Sequence, residues 1–444
     1  MVNEAQSKKT KLKIIRIVLL GILGVVLTYL VVTRSLTAFM AEAGPTTAPI
    51  LVRAYNTGTL VELADSQLNA ELTHDPKEAS DVSPKNSEVT QFSDQQIREW
   101  MKLALLDEPL NPRAQRILGQ LAEKNDDAGL AEKYMLSAAK LSIRDDLASF
   151  RMMQLAYGKQ DYDAVLKYAD ILLWRRPVFA KHITPVLATL ADNDNTRPKV
   201  DALLLRGPSW RMAFFQHLPA SITNIQTPLK LLLKLKEGQT PPRDREILYY
   251  LNFLLKNRLY DQAYYSWLQF LTPEQLTKAG FLFNGSFELA LDLMPFNWTV
   301  PWNTGVTIDT PARFDNASQK ALRVTFSEDR VKNILLLSQF VVLAPGGYIL
   351  EGRHKGELTG SRGLRWRILC YAQDGRRRSL GKGPMLIGKI PKWQKHEFDF
   401  VIPDRDCGAQ RIELHLDART LSERLISGSV WYDDIKITPK SIEQ

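Results

Sequence analysis

The sequence predicts a multidomain protein, α then β: a single transmembrane helix, an α-solenoid and a C-terminal β-sandwich. Three observations predict it. The run from Ile14 to Val32 is apolar apart from Arg16. From Ser93 onward apolar residues recur with helical period in paired segments, and at Gly280 the period changes to that of short strands. The boundaries drawn from these shifts are a basic tail over 1–13, a transmembrane helix over 14–33, a linker with a short helix over 34–92, the solenoid over 93–275 and the sandwich over 280–440.

About 20 helical residues cross a hydrocarbon core. The run from Ile14 to Val32 meets that length, and Arg16 can snorkel to the headgroups. Lys8, Lys9, Lys11 and Lys13 precede it, whereas only Arg34 and then Arg53 follow, which puts the N-terminus in the cytoplasm and the rest of the chain outside. Ala41-Glu42-Ala43 offers the alternative of a cleaved signal peptide, although the run exceeds the ~7–15 apolar residues usual for one. Both readings export the chain. The next most apolar window, Ile334 to Leu343, is too short to span and reads as a strand.

With 444 residues and 45% hydrophobic content, the chain has room for two or three folded domains. The net charge is +9, and the interval Glu351 to Lys395 holds twelve Lys and Arg against three acids. Nucleic acid is a poor partner for an exported domain without a reader motif. An acidic glycan or phospholipid headgroups fit such a block better, and the alternative is that these side chains solvate strand faces. Cys370 and Cys407 are the only cysteines. In an oxidising compartment they suggest one disulfide, the alternative being two buried thiols.

Ser93, with Gln96 at the capping-box position, opens a helix bearing Ile97, Met101, Ala104 and Leu105 on one face. Pro112 to Lys124 follows, with Gly119 small enough for close helix contact, and Asn125-Asp126-Asp127 turns the chain into Ala128 to Leu141. Asp146 to Tyr157 and Tyr162 to Trp174 form the next pair, stopped by Pro177. A second helical tract, Asp201 to Leu271, ends in another pair, where Ala263 and Trp267 repeat the spacing of Ala164 and Tyr168. Pairs of ~34 residues with a small residue opening the second helix, as at Ala131 and Ala164, resemble tetratricopeptide repeats. Stacked pairs of this kind present a groove for partner proteins.

Beyond Gly280, Leu282-Phe283 and Phe287 alternate around Asn284-Gly285. Seven further runs follow: Ala321 to Phe326, Ile334 to Leu343, Gly347 to Arg353, Leu364 to Tyr371, Trp393 to Ile402, Arg411 to Leu416 and Ser429 to Ile437. Turn residues such as Ala344-Pro345-Gly346-Gly347, Asp374-Gly375 and Pro403-Asp404 separate them, as in a β-sandwich of jelly-roll kind.

Phe283-Asn284-Gly285-Ser286-Phe287-Glu288, Trp298, and Trp431-Tyr432-Asp433-Asp434-Ile435 together resemble the galactose-binding-like jelly rolls of carbohydrate-binding modules. The resemblance implies a structural calcium ion with Glu288 and Asp433 as its side-chain ligands. The order of anchor, repeats (with the Leu141-Ser142-Ile143-Arg144-Asp145 turn) and jelly roll resembles a family of uncharacterised membrane-anchored tetratricopeptide-repeat proteins of Gram-negative bacteria. That resemblance implies a bitopic inner-membrane protein with periplasmic domains. It also implies a role in exopolysaccharide or capsule production beside the synthesis and export proteins, and no enzyme activity.

Sugar binding needs aromatic faces for pyranose rings and planar polar groups for their hydroxyls. Trp298, Trp302, Trp366 and Trp393, with Arg365 and Arg367, supply both types. Trp298 and Trp302 fall in a Pro-flanked loop, whereas Trp366 and Trp393 fall in strands and divide between contact and core. The six histidines show no metal-ligand spacing, and no nucleophile elbow or phosphate-binding loop occurs. Glu328-Asp329 and Asp433-Asp434 are strand neighbours that point to opposite faces, so neither serves as an acid–base pair. The expectation is a non-enzymatic envelope adaptor or scaffold, its sandwich binding glycan or, alternatively, protein alone.

Overall fold

The computed structural model describes residues 20–29, 31–32, 57–73, 92–313, 316, 319–327 and 329–440. Residues 20–29 and 31–32 are helical, with exposed side chains. The rest of the expected span from Ile14 to Val32, the Ala41-Glu42-Ala43 site and the polar stretch between His74 and Gln91 lie outside the described residues. Among the described residues no helix is long and apolar enough to cross a membrane. The chain divides into two compact units, Met1–Phe179 and Ala180–Gln444.

The first unit holds α1 (Thr57–Thr73), α2 (Asp94–Asp107), α3 (Pro112–Lys124), α4 (Ala128–Leu141), α5 (Asp146–Gly158) and α6 (Tyr162–Arg175). Consecutive helices pack on one another, and α1 also touches α3. Helices α2 to α6 all start alike. The side chains of Ser93, Asn111, Asp127, Asp145 and Asp161 each accept the backbone N–H three residues on, a cap worth about 0.5–2 kcal/mol apiece. The turns α3–α4 and α5–α6 each hold one residue in the left-handed region, Asp126 and Gln160, which are 34 positions apart by their numbers (160 less 126). Gly119 permits the α3–α4 approach, since a Cβ there would stand 3.0 Å from Met135 Cγ.

The second unit begins with α7 (Ala180–Asp192), α8 (Arg197–Leu205), α9 (Arg211–His217), α10 (Thr227–Lys236), α11 (Asp244–Lys256), α12 (Tyr260–Leu268) and α13 (Pro273–Thr277). Among the described residues nine strands follow: β1 (Val306–Asp309), β2 (Leu322–Phe326), β3 (Leu335–Val341), β4 (Gly346–Gly360), β5 (Leu364–Tyr371), β6 (Arg377–Lys382), β7 (Gly388–Ile402), β8 (Ala409–Leu416) and β9 (Ile426–Pro439). They form a five-stranded sheet, β1-β2-β9-β4-β7, and a four-stranded sheet, β3-β8-β5-β6, with every pairing antiparallel. Leu350, Val430, Tyr432 and Ile437 of the first sheet and Trp366, Ile368, Ile412 and Leu414 of the second belong to the shared core.

Helices α7 to α13 fall in one compact unit with the sandwich. Within that unit the aromatic residues of α12 pack on the β-domain. The Trp267 ring lies 5.0 Å from that of Phe283 and 5.6 Å from that of Phe296, and Tyr260 meets Tyr371 at 6.5 Å. The Leu282-Phe283 and Phe287 segment is turns rather than strand. Strands β1 and β6 fall outside the expected runs, the first being four residues long and the second half charged and mostly exposed.

Candidate functional site

The Asn284-Gly285 motif works as a mechanical staple. Gly285 lies so close to β9 that a Cβ would stand 1.8 Å from the Ile435 carbonyl oxygen, and Ile435 N–H donates to Gly285 O at 2.9 Å. Asn284, at φ 51°, uses its side chain to bind both backbone groups of Leu289, and its own carbonyl accepts the Trp298 indole N–H at 2.9 Å. Trp298 is 0% exposed and stacks on Phe287. It is a core residue, which corrects its reading as a loop residue open to sugar: the staple draws its ring under the sheet.

The residues present do not fit the implied calcium ion. Asp433 Oδ2 accepts from Arg313 at 2.7 Å, and its Oδ1 accepts the Asp434 N–H. Burial pushes the Asp433 carboxyl up from its usual range, and neighbouring Asp434 adds to this. Glu288 is exposed and accepts the Lys320 N–H at 3.1 Å. A cation on Asp433 would face the Arg313 guanidinium. Among the described residues no three His, Cys, Asp or Glu side chains gather as a metal site.

Arg365 and Arg367 lie on β5 and bind sheet acids, Asp417 at 2.8 Å and Glu413 at 2.6 Å. Between them Trp366 points inward and is 3% exposed, as strand alternation requires. These three therefore do not form one surface with each other or with Trp393 on β7. Trp302 is 72% exposed, with Lys332 Nζ 4.7 Å from its ring centre. Cys370 and Cys407 form a disulfide, with Cα atoms 5.4 Å apart, that ties β5 to the turn before β8.

The outer face of the five-stranded sheet collects what the sequence had scattered. Cross-strand register sets Arg323, Trp431 and Lys355 in one row over β2, β9 and β4, and Asp433, Arg353 and Lys395 in the next over β9, β4 and β7. The half-buried Trp393 ring has Lys355 Nζ at 4.7 Å and the guanidinium carbons of Arg313 and Arg353 at 5.1 and 5.5 Å, and Arg323 sits 5.4 Å from Trp431. Such contacts are attractive because the ring face is electron-rich. Acids interleave with the cations: Glu351 lies between Lys395 at 2.7 Å and Lys436 at 2.9 Å, whose hydrogen bonds hold its carboxyl below the usual range.

The inner side of the same strands holds an arrangement that spacing alone did not reveal. His354 on β4 and His396 on β7, 42 residues apart, place their Nδ1 atoms 3.0 Å from each other. Burial lowers the affinity of both for a proton, and for His396, with His354 as the second cause, the pKa falls to about 4. Both residues line a cavity of about 420 Å³ with Trp366 and Tyr432. Among the described residues neither Trp366 Nε1 nor His396 Nε2 has a hydrogen-bond partner. A buried polar atom left so costs about 1–3 kcal/mol.

No family model matches this sequence, and no curated protein does. Among solved structures, the chain is similar to a CBM4 structure at 17% identity, over 35% of this chain and 98% of that chain, with a TM-score of 0.27. It is similar to the CBM22-1 xylan-binding domain of Xyn10C from Paenibacillus barcinonensis at 16% identity, over 36% and 94%, with a TM-score of 0.26. It is also similar to TmCBM61 in complex with β-1,4-galactotriose at 18% identity, over 36% and 99%, with a TM-score of 0.24.

Proposed function

We propose that the β-sandwich is a non-catalytic glycan-binding module that takes an acidic polysaccharide on the outer face of its five-stranded sheet. The observation that supports this most directly is the set of three cations within 5.5 Å of the Trp393 ring, beside the Arg323–Trp431 pair. A uronic-acid polymer offers what such a face recognises: C–H faces that stack on indole, and carboxylates that pair with guanidinium and ammonium groups. The Cys370–Cys407 disulfide suits an oxidising compartment. The basic residues ahead of the Ile14 to Val32 run orient the chain outward. On this reading the protein is an anchored periplasmic adaptor in exopolysaccharide assembly, with the paired helices of the first unit docking synthesis or export proteins.

The test is binding of the full chain to polygalacturonate across a sodium chloride series, with neutral xylan as the control. Affinity for polygalacturonate should fall as salt rises, and Trp393→Ala should weaken it about tenfold, the equivalent of ~1.4 kcal/mol. No affinity at any salt concentration favours the other reading, a structural envelope scaffold whose sandwich binds protein.

A further inference from the structure

We infer that the free edge of β3 docks one extended peptide segment of a partner protein, which adds a short strand there and sets a large apolar side chain into an aromatic pocket. Strand β3 is an edge of the four-stranded sheet, paired only with β8. In an antiparallel ladder the backbone groups of successive residues point alternately to either side. Ser338 exchanges both of its hydrogen bonds with Thr299, at 3.0 and 2.8 Å, so residues 338, 340 and 342 face away from β8. The segment 294–299 covers this edge only in part. Phe340 N–H donates to Pro295 O at 2.8 Å, but Pro295 has no N–H to return, and Asn297 N–H turns back to Met294 O. Among the described residues Val342 N–H has no hydrogen-bond partner, and the Phe340 carbonyl points to the same side. A strand edge left in this state is a template for another extended chain.

A cavity of about 360 Å³ adjoins that edge. Residues 340–342 bound it on one side and residues 279–281 on another. The rings of Trp267, Phe283 and Phe296, all buried, line it, and Phe281 stands half-exposed at its rim. The volume is within the range of roughly 300–1,000 Å³ typical of ligand pockets.

Edge and pocket specify two parts of one ligand. No charged side chain lines the cavity, and the Gln339 amide is already used: its Oε1 accepts Phe283 N–H at 3.2 Å and its Nε2 donates to Phe283 O at 2.9 Å. What the rings reward is therefore burial of an apolar or aromatic side chain. The backbone groups at 340 and 342 reward a donor and an acceptor spaced as on an extended main chain. A peptide with one large apolar residue among strand formers carries both. This site is on the four-stranded sheet and the glycan face is on the five-stranded one, so each can fail alone.

The test is selection of a random heptapeptide display library on the full chain in detergent, followed by titration of the synthetic winners. Enriched peptides should share one Leu, Ile, Phe or Trp at a fixed place among β-branched residues. Gly280→Trp should abolish their binding. A Cβ at Gly280 meets nothing within 4 Å, so the fold accommodates the change while the indole fills the cavity. Val342→Pro, which removes the free N–H, should weaken binding about tenfold. Should that variant unfold, an ester scan of the peptide replaces it without touching the protein: one or two amides should each cost about tenfold when their N–H is replaced by oxygen. No enrichment overturns the inference, as does an affinity that Gly280→Trp leaves unchanged. Binding lost in Gly280→Trp yet indifferent to every ester means that the pocket takes an apolar side chain alone, and overturns the strand pairing. Binding of polygalacturonate reports only on the other sheet, so its loss leaves this result standing.

Discussion

Arg211 and the His354–His396 pair are both polar groups buried within the Ala180–Gln444 unit, and the fold treats them in opposite ways. Every N–H of Arg211 has an acceptor. Its Nε and one Nη grip Glu246 at 2.9 and 3.1 Å, and the rest reach Thr240 and the Pro241 carbonyl. Glu246, itself 0% exposed, also accepts the Arg243 N–H and so opens α11. The histidine pair meets one of its needs internally, and among the described residues His396 Nε2 is left without a hydrogen-bond partner, as is Trp366 Nε1. A buried polar cluster that closes on itself holds a fold in register. One that stays partly unsatisfied costs stability instead.

The comparison is broken most severely by removing one partner from the closed cluster. Glu246→Ala leaves Arg211 charged, buried and unpaired, and should cost about 3–5 kcal/mol in urea denaturation. Replacing both at once, with Arg211→Met and Glu246→Leu, should recover most of that loss, because no uncompensated charge is left inside. A cost below about 1 kcal/mol for the single change would show that Arg211 is not locked as its five donors indicate.

Acid is the corresponding probe of the open cluster. His396 titrates near 6.5 when unfolded and near 4 in the fold, chiefly because burial disfavours its cation. The unfolded chain then binds more protons between those values, so stability falls as pH drops from about 6.5 to 4 and is undiminished above that window. His354 and His415 shift in the same direction, also through burial. The contribution of His396 is at most about 3 kcal/mol. Melting temperatures followed across this window should decline less steeply in His396→Gln than in the parent, and equal slopes would remove His396 from the account.

Much of the fold could be read from the sequence where one local signal decided the outcome. The helices α3, α4 and α6 begin where Asn111, Asp127 and Asp161 cap them, and β5 coincides with its apolar alternation from Leu364 to Tyr371. The signals failed where a side chain's role is set by distant chain. Trp267 has the spacing of a repeat residue, yet its ring packs on Phe283 and Phe296. Nothing near Trp298 announces that Asn284 accepts its N–H, and no spacing rule pairs His354 with His396, which meet only through the β4–β7 register. The motif from Phe283 to Glu288 carries a family resemblance in its letters, whereas in the fold Gly285 serves close approach to Ile435.

The gentlest test extends the comparison to the surface, using two tryptophans four positions apart. Trp298 is closed in the manner of Arg211, with its N–H satisfied and its ring stacked, so its ring belongs to the fold. Trp302 is 72% exposed, with Lys332 beside its ring, and little of it depends on packing. Trp302→Ala should therefore change unfolding free energy by no more than about 0.5 kcal/mol. An exposed indole that contributes so little to stability is open to a ligand face, and the same variant should lower the affinity for polygalacturonate severalfold, by about 0.5–1 kcal/mol. If affinity and stability both stay unchanged, the proposed glycan face does not reach beyond Trp393, and Trp302 is simply a solvated ring under a lysine.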